Sequence, residues 1–264
     1  MEARADRAVT AVSGAGLRTR APDRCSMAPL AGGGMSSEQL VQLFERQARR
    51  WAIDRREGMP QPRGPAVAFS RLPGSGGDEI ARRVAEWLDY GFFGLEVIDQ
   101  IAADPSLCGR LEADLAPPLR TAIEARLREI FASGRIGGEG ALGQVVRVVA
   151  TLGERGMAVL LGRGAVAILP ASRTLRVLVV APAEVRAERL AAAQGLAREV
   201  AAARLAEQDA ARARFLRTHF DFAHEDPTRY DLALNTEALS IDAAAALVVD
   251  GLRRRFPPVP AGRP

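Results

Sequence analysis

Apolar residues recur along this chain in two periods, and the alternation between them predicts most of the elements. From Ser37 to Arg56, Leu40, Leu43, Phe44 and Trp51 stand near helical spacing behind Ser37 and Glu38, the pattern of an amphipathic helix. A Pro/Gly linker, EGMPQPRGP, follows. Ala66–Ser70 then reads as a short apolar strand, and Asp78 to about Leu88 as a helix with Ile80, Ala81, Val84, Trp87 and Leu88 on the 3.6-residue period. The region 95–156 reads as helices broken at Pro105, at Pro117–Pro118 and over Gly134–Gly140. Buried strands are predicted at Ala158–Leu161 and Leu175–Val180, helices at Ala183–Ala193 and Ala197 to about Arg217, a last strand at Asp231–Asn235 and a last helix at about Ile241–Arg255. Short apolar strands alternating with helices predict an α/β fold, a parallel sheet with helices on both faces. Residues 1–36 lack periodicity and are expected to be disordered. Residues 37–64 form the helix and linker, 65–256 the folded domain and 257–264 a tail.

The turn RLPGSGGD between the first strand and its helix is where a glycine motif carries chemical meaning. Gly74, Gly76 and Gly77 permit positive φ and close approach of the backbone to a ligand, with Ser75 between them. Successive amides in such a turn make an anion-binding nest, and the helix behind it adds about half a positive charge at its N-terminus. Aligned on G-x-x-x-x-G-K-[ST], the loop has Gly77 at the lysine position and Asp78 at the hydroxyl position. Asp78 would either ligate Mg²⁺ directly or cap the helix and complement its dipole. Without a metal, a carboxylate about 5 Å from a phosphate charge costs about 3 kcal/mol at an effective dielectric near 20. Arg71 is the nearest cation able to replace the lysine.

Composition sharpens this picture. All 36 basic residues are arginines, so any phosphate site must use the planar guanidinium. The net charge of +4 and the arginine-rich N-terminus admit nucleic acid as a partner. However, the arginines interleave with acidic residues along predicted helices, and aromatic residues make up only 5%, so nucleic acid is not the expected ligand. Cys25 and Cys108 form no C-x-x-C pair and read as free thiols. No apolar run approaches a membrane span and no signal-peptide core is evident, so a soluble, cytoplasmic protein without a membrane partner is expected. His219 and His224 have no metal-ligand neighbours in sequence, and Ser75 lies outside a G-x-S-x-G elbow.

Three further segments complete the pattern. Gly162-Arg163-Gly164 follows the strand AVLL, so Arg163 stands at a strand's carboxyl end. A-P-A-E-V-R-A-E-R opens the helix after the next strand, where Arg186 and Arg189 read as surface partners of Glu184 and Glu188. A-E-Q-D-A-A-R-A-R lies on a helix with Asp209 and Arg212 at i, i+3. The stretches FSRLPGSGGDEIARRVAEWL, LLGRGAVAILPASRTLRVLVVAPAEVRAERL, AEQDAARARF and DPTRYDLALNTEALS resemble, in order and spacing, the cytidylate kinase-like family of P-loop nucleoside-monophosphate kinases over about 65–256.

The resemblance implies a P-loop kinase fold with a helical lid, and ATP-dependent phosphorylation of CMP or dCMP with Mg²⁺. It further implies an acceptor-phosphate role for Arg163, lid roles for Arg212 and Arg214 on the helix carrying Asp209, and a position near the ATP base for Asp231–Thr236. In that scheme Arg71, Arg212 and Arg214 act on the transferring group, Gly74–Asp78 hold the nucleotide phosphates, and Arg163 and Asp209 bind the acceptor. Cytidylate kinases proper carry a lysine where Gly77 stands, an aspartate where Gly164 stands, and usually an acidic residue where Gly94 stands. The second reading is a nucleotide-binding module that has lost turnover and acts through its ligand-dependent shape.

Overall fold

The computed structural model describes residues 35–56, 64–113 and 115–257. The expected disordered segment and tail lie outside these, apart from residues 35, 36 and 257, as does most of the linker. Five strands, β1 (Ala66–Arg71), β2 (Gly91–Phe93), β3 (Ala158–Leu161), β4 (Thr174–Val180) and β5 (Leu232–Asn235), form one sheet in the order β2-β3-β1-β4-β5. Every pairing is parallel. β1 is central, and the chain departs from it to both sides, the arrangement that opens a crevice at the carboxyl ends of the strands.

Alternation along the strands decides which face each residue serves. Val67 and Phe69 of β1, Val159 and Leu161 of β3, and Leu175, Val177 and Val179 of β4 pack under α2 (Gly77–Leu88) and α10 (Ile241–Arg255). Ala66 and Ala68, Ala158 and Leu160, and Leu178 face the opposite layer. That layer is built from α1 (Ser37–Arg56), α3 (Leu95–Ala103), α4 (Pro105–Glu112), α5 (Pro117–Ala132), α6 (Ala141–Arg155) and the short α7 (Ala165–Ile168). α8 (Ala183–Gln194) and α9 (Arg198–Phe220) pack on each other, and α9 closes over the strand ends as the lid.

The predicted helix breaks over 95–156 are also helix starts. Pro105 and Pro117 occupy the first turns of α4 and α5, where a missing N–H costs nothing, and the Asp104 carboxylate caps α4 through the amides of Ser106 and Leu107. β2 escapes the pattern because three residues, Gly-Phe-Phe, are too short to show a period. α9 runs to Phe220, and Asp221 ends it in the left-handed region at φ 52°.

α1 belongs to the core. Leu40, Leu43, Phe44 and Trp51 are buried in it, Gln47 Nε2 donates to the Met157 carbonyl at 3.1 Å, and Trp51 Nε1 donates to the Gly156 carbonyl at 3.3 Å. Those carbonyls precede β3, so α1 braces the end of the sheet opposite the crevice. No helix among the described residues is long and apolar enough to cross a membrane.

Ile80 is fully buried where α2 packs on the sheet and carries the glycine turn. Ile80→Ala should lower unfolding stability by about 2–5 kcal/mol through lost transfer energy and the cavity it leaves. Denaturant unfolding checks this, and a loss below about 1 kcal/mol would contradict the packing described.

Candidate functional site

The period-two geometry of β1 sends its last two side chains to opposite sides: Ser70 toward the lid layer, Arg71 toward α2. The turn that follows depends on glycine. Gly74 and Gly76 have φ of +77° and +78°. A Cβ on Gly74 would stand 2.9 Å from the Arg186 carbonyl oxygen. The turn's own acceptors are engaged by the protein: Leu72 O accepts from Ser75 N at 3.1 Å, Pro73 O from Arg186 Nη1 at 3.2 Å, and Ser75 O from Thr236 Oγ1 at 2.7 Å. Carbonyls held in this way do not oppose an incoming phosphate, while the α2 N-terminus lies beneath the turn.

The absent lysine has a steric cause. A Cβ on Gly77 would lie 2.5 Å from Arg71 Cβ and 2.9 Å from its Cγ, so the Arg71 stem fills the space where a side chain at 77 would begin. The Arg71 guanidinium is buried and grips Asp78 with two parallel bonds, Nε to Oδ2 at 2.8 Å and Nη2 to Oδ1 at 3.1 Å. Two expectations for Asp78 are thereby corrected. The N-cap of α2 is Gly76, with no side-chain cap bond, so Asp78 is a first-turn acid that complements the dipole. It also does not fit as a magnesium ligand: both oxygens already serve a guanidinium, which would repel a dication at the same carboxylate. Among the described residues no group of three His, Cys, Asp or Glu side chains could hold a metal ion.

A small cleft opens at the carboxyl end of β1, where the chain leads into this turn. Ser70 and Arg71 at the end of β1, the Gly162–Gly164 turn after β3, and Arg212, Phe215 and Leu216 of α9 line it. Arg163 sits between glycines at φ +81° and +74° and itself has φ +48°, a conformation uncommon for a non-glycine residue. Its guanidinium pairs with Asp99 of α3, and its Nε is buried without a hydrogen-bond partner. Gly164 has two reasons to lack a side chain: its positive φ, and Phe220 of the lid, whose ring carbon would be 2.6 Å from a Cβ there. The aspartate of cytidylate kinases proper therefore has no room in this turn.

Arg212 is buried at 6% exposure, donates from Nη2 to Ser70 Oγ, and leaves Nη1 without a hydrogen-bond partner. Burial pulls its pKa down. Arg214 is corrected: two positions along a helix turns it about 200° from Arg212, onto the exposed face of α9 and outside the cleft. Asp209 Oδ2 accepts from Arg186 Nη2 at 2.9 Å, its Oδ1 is buried without a hydrogen-bond partner, and it lies outside the residues that line the cleft.

Arg186 is no surface residue. It is buried and ties the Pro73 and Ala181 carbonyls to Asp209, linking the glycine turn to the lid helix. Arg189 bonds the Thr236 hydroxyl and carbonyl, and Glu188 pairs with Arg198 instead. Ser70 and Asp99 escape notice in the sequence because each is a lone polar residue whose partner is distant along the chain.

His224, behind Arg212, has its imidazole pKa lowered from 6.5, first by burial and then by the Arg212 charge. Glu225 and Asp209 pull it up, and Arg217 lowers it further. A folded-state pKa below the unfolded one gives stability that is present above pH 6.5 and lost as pH falls through the folded value. Thermal unfolding between pH 8 and pH 5 should therefore show a fall below about pH 6.5 that His224→Gln flattens. An identical slope in wild type and variant would contradict it.

Residues 66–238 match the cytidylate kinase-like family. A cytidylate kinase of Methanopyrus kandleri is 28% identical over 200 residues, which span 73% of this chain and 96% of that protein. The crystal structure of an uncharacterized protein from Eubacterium ventriosum superposes with a TM-score of 0.58 at 17% identity, covering 72% of this chain and 98% of that one, a likeness of fold. With the glycine turn, the Gly-Arg-Gly turn and the lid arginine all falling inside the matched residues, the chain belongs to the cytidylate kinase-like family.

Proposed function

We propose that this protein is an ATP-dependent nucleoside-monophosphate kinase whose acceptor is CMP or dCMP. The observation that carries this reading is the convergence of Arg71, Arg163 and Arg212 on one cleft at the carboxyl end of β1, the strand that leads into the glycine turn. Membership in the family supports the kinase class, and the cytidylate acceptor is carried over from the archaeal relative.

Phosphoryl transfer asks the protein for alignment and charge neutralisation rather than covalent chemistry. ATP enters with its own magnesium, and its phosphates lie on the amides of Gly74–Gly77 at the α2 N-terminus. Arg71 supplies the cation that a loop lysine would supply, from the end of β1 instead of from the turn. Arg163 grips the acceptor phosphate, and Asp99 sets its direction from α3. An oxygen of that phosphate attacks the γ-phosphorus and ADP leaves. Arg212 stabilises the charge on the transferring group from the lid, which also excludes water.

A coupled assay of ADP formation over a panel of nucleoside monophosphates tests the reading. ADP release should depend on the acceptor, with the highest kcat/KM for CMP or dCMP. Binding of ATP and CMP without ADP release would instead assign a nucleotide-binding module. Arg163→Ala should raise the KM for CMP by about tenfold or more, the worth of a charge-assisted contact, and an unchanged KM would remove Arg163 from the acceptor site. Arg71→Ala should cut kcat by about 100-fold with a much smaller change in KM for ATP; an unchanged kcat would end its role as the replacement cation.

A further inference from the structure

Arg186 lies in the first turns of α8, outside the residues that line the cleft, yet it meets the glycine turn twice. Its backbone is the wall on which Gly74 rests: a Cβ at 74 would stand 2.9 Å from the Arg186 carbonyl oxygen and 3.1 Å from Arg186 Cβ. Its side chain is buried and engages every nitrogen of the guanidinium. Nε donates to the Ala181 carbonyl at 3.1 Å, Nη1 donates to the Pro73 carbonyl at 3.2 Å, and Nη2 pairs with Asp209 Oδ2 at 2.9 Å. One planar group therefore joins the exit of β4, the glycine turn and the lid helix. The fixed fork of a guanidinium suits acceptors that lie in different directions, whereas a lysine presents all its donors from one atom.

The contact on α9 falls on a particular turn of that helix. Asp209 and Arg212 stand at i, i+3, so the turn that Arg186 holds is the turn that carries Arg212 to the cleft. Arg212 itself donates to Ser70 Oγ at the end of β1. A shift of α9 against the glycine turn would carry Arg212 away from phosphates resting on that turn, and a misplacement of about 1 Å is enough to cost about 100-fold in rate. An ion pair in such a setting adds little net stability, so what Arg186 contributes is position.

We propose that Arg186 is a positioning residue that locks α9 to the glycine turn and so keeps the lid arginine in register with the nucleotide phosphates. This rests on the kinase reading of the same cleft.

Asp209 isolates the lid arm of the tie, because its loss leaves both carbonyl bonds of Arg186 in place. Asp209→Ala should lower kcat about tenfold and change the KM for ATP and CMP by about twofold or less, whereas Asp209→Asn, which keeps an acceptor for Nη2, should recover most of kcat. Adding Asp209→Ala to Arg186→Ala should have no further effect on kcat. Hydrogen exchange supplies a second readout that needs no turnover. In the wild type, a non-hydrolysable ATP analogue should slow amide exchange in the glycine turn and in α9; in Asp209→Ala the slowing should stay within the turn. Wild-type kcat in Asp209→Ala would overturn the proposal, as would slowing in α9 that persists in that variant. A loss confined to the KM for CMP would also overturn it and make Asp209 an acceptor ligand. Should Arg186→Ala not fold, the two Asp209 variants and the exchange pattern decide on the same criteria. A wild type that binds the analogue without releasing ADP would defeat the kinase reading, and the exchange pattern would still decide the tie. A wild type that binds no analogue would defeat both.

Discussion

The site depends on one steric exchange: the Arg71 side chain lies across a residue that has none. Arg71 ends the central strand and faces α2, and its stem occupies the space where a side chain at position 77 would start. A cation delivered from the strand and a cation delivered from the turn are therefore mutually exclusive here. Asp78 follows from the same exchange, because a guanidinium buried beside the turn needs a partner, and the first residues of α2 are where a carboxylate also suits the helix dipole. The departures from the lysine-bearing loop at positions 77 and 78 thus share one cause, the Arg71 side chain packed against the turn.

The same economy of space explains the turn after β3. The lid helix packs its Phe220 ring against Gly164, so the room used elsewhere in the family for an aspartate is used here for closing the lid. Arg163 then takes its direction from Asp99, across the cleft on α3. Partly buried ion pairs of this kind add little net stability, since desolvation offsets the attraction, but they fix the direction of the guanidinium. Arg186 does this for the whole crevice, joining the carbonyls of the glycine turn to the lid through Asp209. The loop and the lid are therefore parts of one hydrogen-bonded unit.

Within that unit, charge is distributed unevenly. Arg71, Arg163 and Arg186 are paired with carboxylates, whereas Arg212 donates to the Ser70 hydroxyl and has its proton affinity lowered by burial. The His224 imidazole, also buried there, is held toward its neutral form by burial and by that guanidinium.

The sequence by itself determined most of the elements and the glycine turn. Four strands and the helices around them follow from apolar periodicity, and Gly74 and Gly76 mark a turn that only positive φ can make. Both signals are local, written in residues a few positions apart. The tertiary structure decided which partner each arginine meets. Arg163 meets Asp99 across 64 positions and Arg212 meets Ser70 across 142, whereas Arg214, two residues from Arg212, points away. An arginine side chain is long, and in a chain with 36 arginines and 32 acids its partner is chosen by what the fold brings within reach. β2, too short for a period, acquires its meaning only from the strand that pairs with it.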